Sequence, residues 1–258
     1  MPKIVPYLQE GQIERDAAAL LGEYEQARSV KIERAVPIED IAEKYLKLRF
    51  DFDDMHRLFN YPRSGFGIEP DILGAILFDE RRILIDQSLD PVENPKKEGR
   101  YRFTLAHEAG GHWRLHRHLF AKNPAQASLF NEPVPRSVVC RSSQAKEPIE
   151  WQADYYASCL LMPRKLVMAA WDEMFPDRKP RVLQPATPID HPFAEIVRFE
   201  CRIPGFEHTE TDNNSLDHIA RPLAQQFLVS PAAMRIRLEK LGLLYRAVPP
   251  QWTLARGA

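Results

Sequence analysis

Cysteine is scarce in this 258-residue chain and glycine is thin: 3 cysteines and 11 glycines stand against 22 prolines. Cys140, Cys159 and Cys201 are widely spaced and odd in number. That excludes a paired disulfide framework and a CxxC metal cluster, and reads as isolated reduced thiols. Charge of one sign is missing too. The formal net charge is -1, so no global positive field draws the molecule onto nucleic acid or an anionic membrane. No uncharged apolar run reaches the ~18 residues of a membrane span, and MPKIVPYLQEGQIERD (1–16) has no apolar signal core. The expected location is the cytoplasm, with no membrane partner. The excess of proline over glycine points to stiff connections rather than flexible linkers.

What is present is ordinary for a soluble globular protein, with 44% hydrophobic and 28% charged residues. A chain of this length buries a sizeable core, as one large domain or two small ones. Residues 12–32 place apolar side chains at helical spacing, and Pro37 opens a second helix carrying Ile38, Ile41, Ala42 and Tyr45 on one side. LKLRFDFD (46–53) alternates like a strand, and ILGAILFD (72–79) with RRILIDQS (81–88) reads as a hairpin. A long helix is expected over about 99–119, a poorly patterned stretch over 121–147, and helices over 148–162 and 163–175. Residues 176–215 are proline-rich and read as a linker or surface arm, followed by short helices over 216–228 and 231–242. The layout predicts an α+β fold with a small antiparallel sheet. It divides as residues 1–175 carrying the helices and sheet, the arm 176–215, and a C-terminal helical pair within 216–258 packed on the first part.

The chemistry concentrates in RFTLAHEAGGHWRLH (102–116). Zinc-peptidase chemistry needs two imidazoles gripping one ion and a carboxylate beside the water. HExxH meets that need on a regular helix, because residues four apart share a face. Here His107 and His112 are five apart. Five residues of α-helix turn about 500°, which leaves the second ring roughly 140° from the first. A π-bulge returns it to the same face, and Gly110 and Gly111 stand where the backbone would distort. Two other readings stay open. One is a shifted frame pairing His112 with His116, in which Trp113 stands where a base is needed; the other is a degenerate, metal-free site. A second segment, Glu150-Trp-Gln-Ala-Asp154, puts two acids at i and i+4 on an otherwise apolar helix. Glu150 suits a third ligand and Asp154 an acceptor for the other N–H of a ligand histidine.

With these segments the chain resembles the ImmA/IrrE family of zinc metallopeptidases. RFTLAHEAGGHWRLH (102–116) is similar to the family's RFTLAHELGH…LH signature, and EWQADYYASCLLMP (150–163) to its E-x-x-A-N/D-x-F-A-x-x-LLMP segment. The hairpin ILFDERRILIDQSL, PIEDIAEKYLKL (37–48) and LAQQFLVSPAAMRIRLEKLGLL (223–244) follow the family order, so the likeness spans most of 37–244. The chain departs from the pattern by one glycine between His107 and His112. The resemblance implies a zincin-like peptidase domain, an active-site helix carrying the HE motif, and a helix-turn-helix-like C-terminal pair belonging to the peptidase body. By matching position it implies His107, His112 and Glu150 as metal ligands, Glu108 as general base and Asp154 as an orienting acid. Zinc is the implied cofactor, and manganese also suits a His/His/Glu set. The implied activity is site-specific cleavage of a helix-turn-helix transcriptional repressor, switching on a stress, mobile-element or toxin–antitoxin operon. His116 matches a family position for which the sequence offers no physical role.

A DNA-reading role for the C-terminal pair needs Arg235, Arg237 and Lys240 on one exposed face. Met234, Ile236, Leu238, Leu241 and Leu243 crowd the same segment and Glu239 offsets its charge, so packing is expected rather than nucleic-acid contact. Two function classes result: an active zinc endopeptidase acting on a regulator, and a catalytically impaired, antitoxin-like binding protein that keeps the scaffold. A substrate segment is expected to dock as an added strand on an edge of the 72–88 hairpin.

Overall fold

The computed structural model describes residues 5–60, 72–120, 137–141, 147–183 and 209–246. The chain opens with α1 (Glu10–Arg28), α2 (Ile38–Asp40) running on into a π-helical turn (Ile41–Tyr45), β1 (Arg49–Asp53) and α3 (Met55–Leu58). The hairpin β2 (Ile72–Leu77) and β3 (Arg82–Asp86) follows. Next comes one continuous helical rod: α4 (Glu98–Ala106), a π-helical segment (His107–His116) and α5 (Arg117–Phe120). Then come β4 (Ser137–Arg141), α6 (Pro148–Leu161), α7 (Arg164–Met174) and β5 (Arg181–Leu183). The remainder is α8 (Thr209–Phe227), α9 (Pro231–Lys240) and β6 (Leu244–Arg246). The architecture is α+β, mostly helical with a small sheet. Among the described residues no helix is long and apolar enough to cross a membrane.

The sheet has the order β1-β3-β2-β4. β2 and β3 form the expected antiparallel hairpin, with Ala75 opposite Leu84. β1 is different: it runs parallel to β3, pairing Phe50 with Ile83, so the sheet is mixed rather than antiparallel. Alternation of apolar and charged residues tells which side chains face the core, and carries no information on strand direction. β4 was not expected. It lies in the stretch 121–147, of which 121–136 and 142–146 fall outside the described residues, and it pairs antiparallel with β2. Both strands of the hairpin are therefore interior, and the sheet edges are β1 and β4. Among the described residues the hairpin has no free edge for a docking peptide.

Burial explains the layering. Ile76, Ile83 and Ile85 face a single large core with Leu105, Ala106, Ala109, Tyr156, Leu160 and Trp171. The opposite face of the sheet buries Ile72, Ala75 and Leu84 under Met55 of α3. α1 packs its stripe of Ile13, Ala17, Leu20, Leu21 and Tyr24 inward and bonds across to the site helices. Tyr156 donates to Asp16 (2.8 Å) and Arg114 spans Asp16 and Glu23 (3.3 and 2.8 Å). Buried Arg102 fastens the base of α4, holding Glu39 at 3.0 and 3.1 Å and donating to the Val36 carbonyl.

The proline-rich arm begins with structure. Arg181–Leu183 pairs in parallel with Leu244–Arg246, and α8 already starts at Thr209; residues 184–208 lie outside the described residues. In the helical pair, Ser230 caps α9 by accepting from the Ala233 N–H (3.1 Å). The three cations on α9 are all engaged within the molecule. Arg235 pairs with Asp217 (2.7 Å) and Glu239 (3.2 Å). Lys240 pairs with Glu10 (2.6 Å). Arg237, only 1% exposed, donates to the Met162 carbonyl (3.0 Å) and to Glu14. The backbone at Val229 and Ser230 also rests on Gly99 of α4, where an added Cβ would come within 2.7 Å of the Ser230 nitrogen.

Arg237→Ala leaves the Met162 carbonyl unpaired and empties a fully buried volume. Its expected cost is about 3 kcal/mol in denaturant unfolding. A loss under about 0.5 kcal/mol, the level of an ordinary surface substitution, would deny the anchor its role.

Candidate metal centre

The extra residue between the histidines is absorbed by the backbone. From His107 to His116 the helix is π-helical, and an i→i+5 pattern returns His112 to the side of His107. The two rings meet edge to face with centroids 4.7 Å apart, and their Nε2 atoms approach to 2.9 Å. Gly110 and Gly111 serve a purpose other than the expected one. Neither has a positive φ; among the described glycines only Gly242 does. Their role is clearance. A Cβ at Gly110 would come within 2.7 Å of the Tyr156 ring, and one at Gly111 within 2.5 Å of Ala153 Cα. The glycine pair lets the π segment lie directly on α6.

That close approach delivers Glu150. Its carboxylate oxygens stand 3.2 Å from His107 Nε2 and 3.6 Å from His112 Nε2. Donors on a tetrahedral zinc with bonds of about 2.0–2.2 Å are roughly 3.3–3.5 Å apart. The observed separations of 2.9, 3.2 and 3.6 Å bracket that spacing. Asp154, one turn on, meets His107 Nδ1 at 2.8 Å. The carboxylate accepts a hydrogen bond from Nδ1–H, so the Nε2 lone pair turns inward. Two imidazole lone pairs and a carboxylate thus face one point. Only positive charge there, a proton or a metal cation, relieves their repulsion.

Electrostatics follows the burial. Burial opposes ionisation of Glu150, but the two imidazoles beside it, His107 and His112, outweigh it and hold the carboxyl at about 2. Burial makes a proton on His112 costly and lowers its pKa; His116 is driven to about 4 for the same reason. Glu108 is fully buried, and neither of its carboxylate oxygens has a hydrogen-bond partner among the described residues. Burial raises its pKa to about 8, against the lowering pull of His107. Its side chain lies over β2, where Gly74 leaves the room: a Cβ there would stand 2.9 Å from Glu108 Oε1. His107, Glu108 and His112 offer ligand atoms within 4.8 Å of one another, and this buried group could hold a metal ion. Of the two glutamates, Glu150 is the better third donor, because its oxygens touch both Nε2 atoms.

All five residues singled out in the sequence therefore come together here. The shifted frame does not form a centre. His116 faces His112 through Nδ1 (3.5 Å), away from the nitrogen that meets His107 and Glu150. What the sequence reading missed is Gln152, 1% exposed, which meets His116 Nε2 through its Oε1 (2.9 Å). The signal was legible as a polar residue on the inward side of an apolar helix. The chain matches no protein-family model and no curated protein.

Two outcomes follow from this packing. Gly111→Ala forces α6 away from the π segment; the expected cost is about 1–3 kcal/mol of stability in denaturant melts, with Glu150 displaced. The second concerns pH. The folded-state pKa of Glu108 lies above its unfolded value, so the folded protein holds its proton longer, and the contribution of this group to stability falls as pH rises from about 4.5 to about 8. Metal-free Glu108→Gln lacks this slope. Its stability advantage over the wild type should grow by roughly 4 kcal/mol across that range in pH-resolved urea unfolding. Parallel pH profiles for the two proteins would refute the burial argument.

Proposed function

We propose that the chain is a zinc-dependent endopeptidase of the ImmA/IrrE type, with His107, His112 and Glu150 as ligands and Glu108 as general base. The observation that carries this reading is the convergence of His107 Nε2, His112 Nε2 and the Glu150 carboxylate at separations of 2.9–3.6 Å. The orphaned carboxylate of Glu108 beside them is the second support. Zinc held by three protein groups supplies a Lewis acid and an acidified water; manganese fits the same donors.

The protein's own groups divide the remaining work. Asp154 fixes the tautomer of His107. Glu108 is fully buried, and a neighbouring cation would favour its ionised form over the proton that burial otherwise retains. As a carboxylate it accepts a proton from water, and as an acid it returns that proton to the departing amine. The substrate class, a helix-turn-helix transcriptional repressor whose removal relieves a stress, mobile-element or toxin–antitoxin operon, rests on the family resemblance alone. The inactive-scaffold reading rested on the extra glycine. The π segment takes up that residue, which weighs against it.

The expected result is one zinc per chain in the purified protein, removed by chelator and lost in His107→Ala and Glu150→Ala. Glu108→Gln should keep its zinc while cleavage of the repressor falls by roughly 10²–10⁴-fold. A well-folded wild-type protein that takes up neither zinc nor manganese would overturn the assignment.

A further inference from the structure

The two ligand histidines are supported in different ways. His107 leans on Asp154, a partly exposed carboxylate. His112 is fully buried, and the one polar partner of its Nδ1 among the described residues is another imidazole, His116 Nδ1, at a long 3.5 Å. Two facing Nδ1 atoms can bond only if one carries a proton and the other does not. The far side of His116 decides which. Its Nε2 meets the Gln152 side-chain oxygen at 2.9 Å, while the Gln152 nitrogen donates to the Pro6 carbonyl (2.8 Å). Pro6 offers only an acceptor there, so the amide is held with its oxygen toward His116. Gln152 oxygen must then accept the His116 Nε2 proton. That leaves His116 Nδ1 as the acceptor and His112 Nδ1 as the donor, and it turns the His112 Nε2 lone pair toward His107 and Glu150.

We propose that His116 and Gln152 are positioning residues: a neutral, buried relay running from the Pro6 carbonyl through Gln152 and His116 fixes the tautomer and ring angle of His112 for metal binding. The proposal rests on the metal-centre reading above and assigns work to two residues which that reading leaves idle. It also explains why a buried polar pair, each member 1% exposed, sits beside a core that would accept apolar side chains there. The relay reaches into the segment ahead of α1, so the N-terminal residues take part in orienting a ligand more than 100 positions later.

The test is zinc affinity by chelator competition, with the visible spectrum of the cobalt(II)-substituted protein and the melting temperature of the metal-free form measured alongside. His116→Ala should weaken zinc binding by roughly 10–100-fold, the usual effect of removing a ligand's orienting partner. Gln152→Leu, close in size and kinder to folding, should weaken it in the same direction and shift the cobalt bands. His116→Asn restores an amide oxygen near the lost Nδ1 and should recover most of the affinity. Unchanged affinity in Gln152→Leu would overturn the relay. So would affinity in His116→Asn no better than in His116→Ala, with losses tracking the metal-free melting temperature, since packing alone would explain that. If the wild type binds no metal, the proposed function fails first and the relay falls with it.

Discussion

Everything at the centre depends on how closely one helix can lie against another. Gly110 and Gly111 bring the π segment onto α6 with no side chain between them, and the space a Cβ would need is already taken by Tyr156 and Ala153. From that contact come the approach of Glu150 to both imidazoles and the reach of Asp154 to His107. It also brings Gln152 to His116. π-Helical backbone is rare and is frequently found at functional sites. Here it does two things together: it realigns His112, and it presents two consecutive glycines to the same neighbour.

The surrounding structure keeps that contact in place. Arg114 and Tyr156, one from each of the touching helices, share Asp16 of α1, so α1 acts as a strap across the pair. Below it, the buried core of Leu105, Ala106 and Ala109 seats the rod on the sheet. Charged groups are spent mostly on such fastenings. The cations of α9 are examples, each paired with a carboxylate of the same molecule.

Helical periodicity, the hairpin and the HE…H and E…D spacings were readable from the residues, because each is a local pattern imposed by backbone geometry. The part that was not readable is the part that depends on partners distant in sequence. β4 is only five residues long, Ser137–Arg141, and its β-branched pair Val138 and Val139 was too short a signal beside the prolines before it. The direction of β1 is set by where the chain re-enters the sheet, which alternation does not encode. Gly110 and Gly111 were recognised as informative, but as sources of backbone freedom. Their actual function, clearance for Ala153 and Tyr156, appears only when α6 is set beside them. Gln152 went unnoticed for a related reason: a buried amide declares itself through its partners, His116 and the Pro6 carbonyl, and both are remote.

Arg237 carries a consequence for how the molecule is made. The carbonyl it caps belongs to Met162, at the end of the helix bearing Glu150, yet it emerges from the ribosome 75 residues afterwards. Domains assemble during synthesis from the N-terminal end, so the imidazoles and acids are translated well before the guanidinium that locks their scaffold. Locking of this scaffold is thereby tied to translation of α9: a growing chain has His107, His112 and Glu150 early and its keystone late.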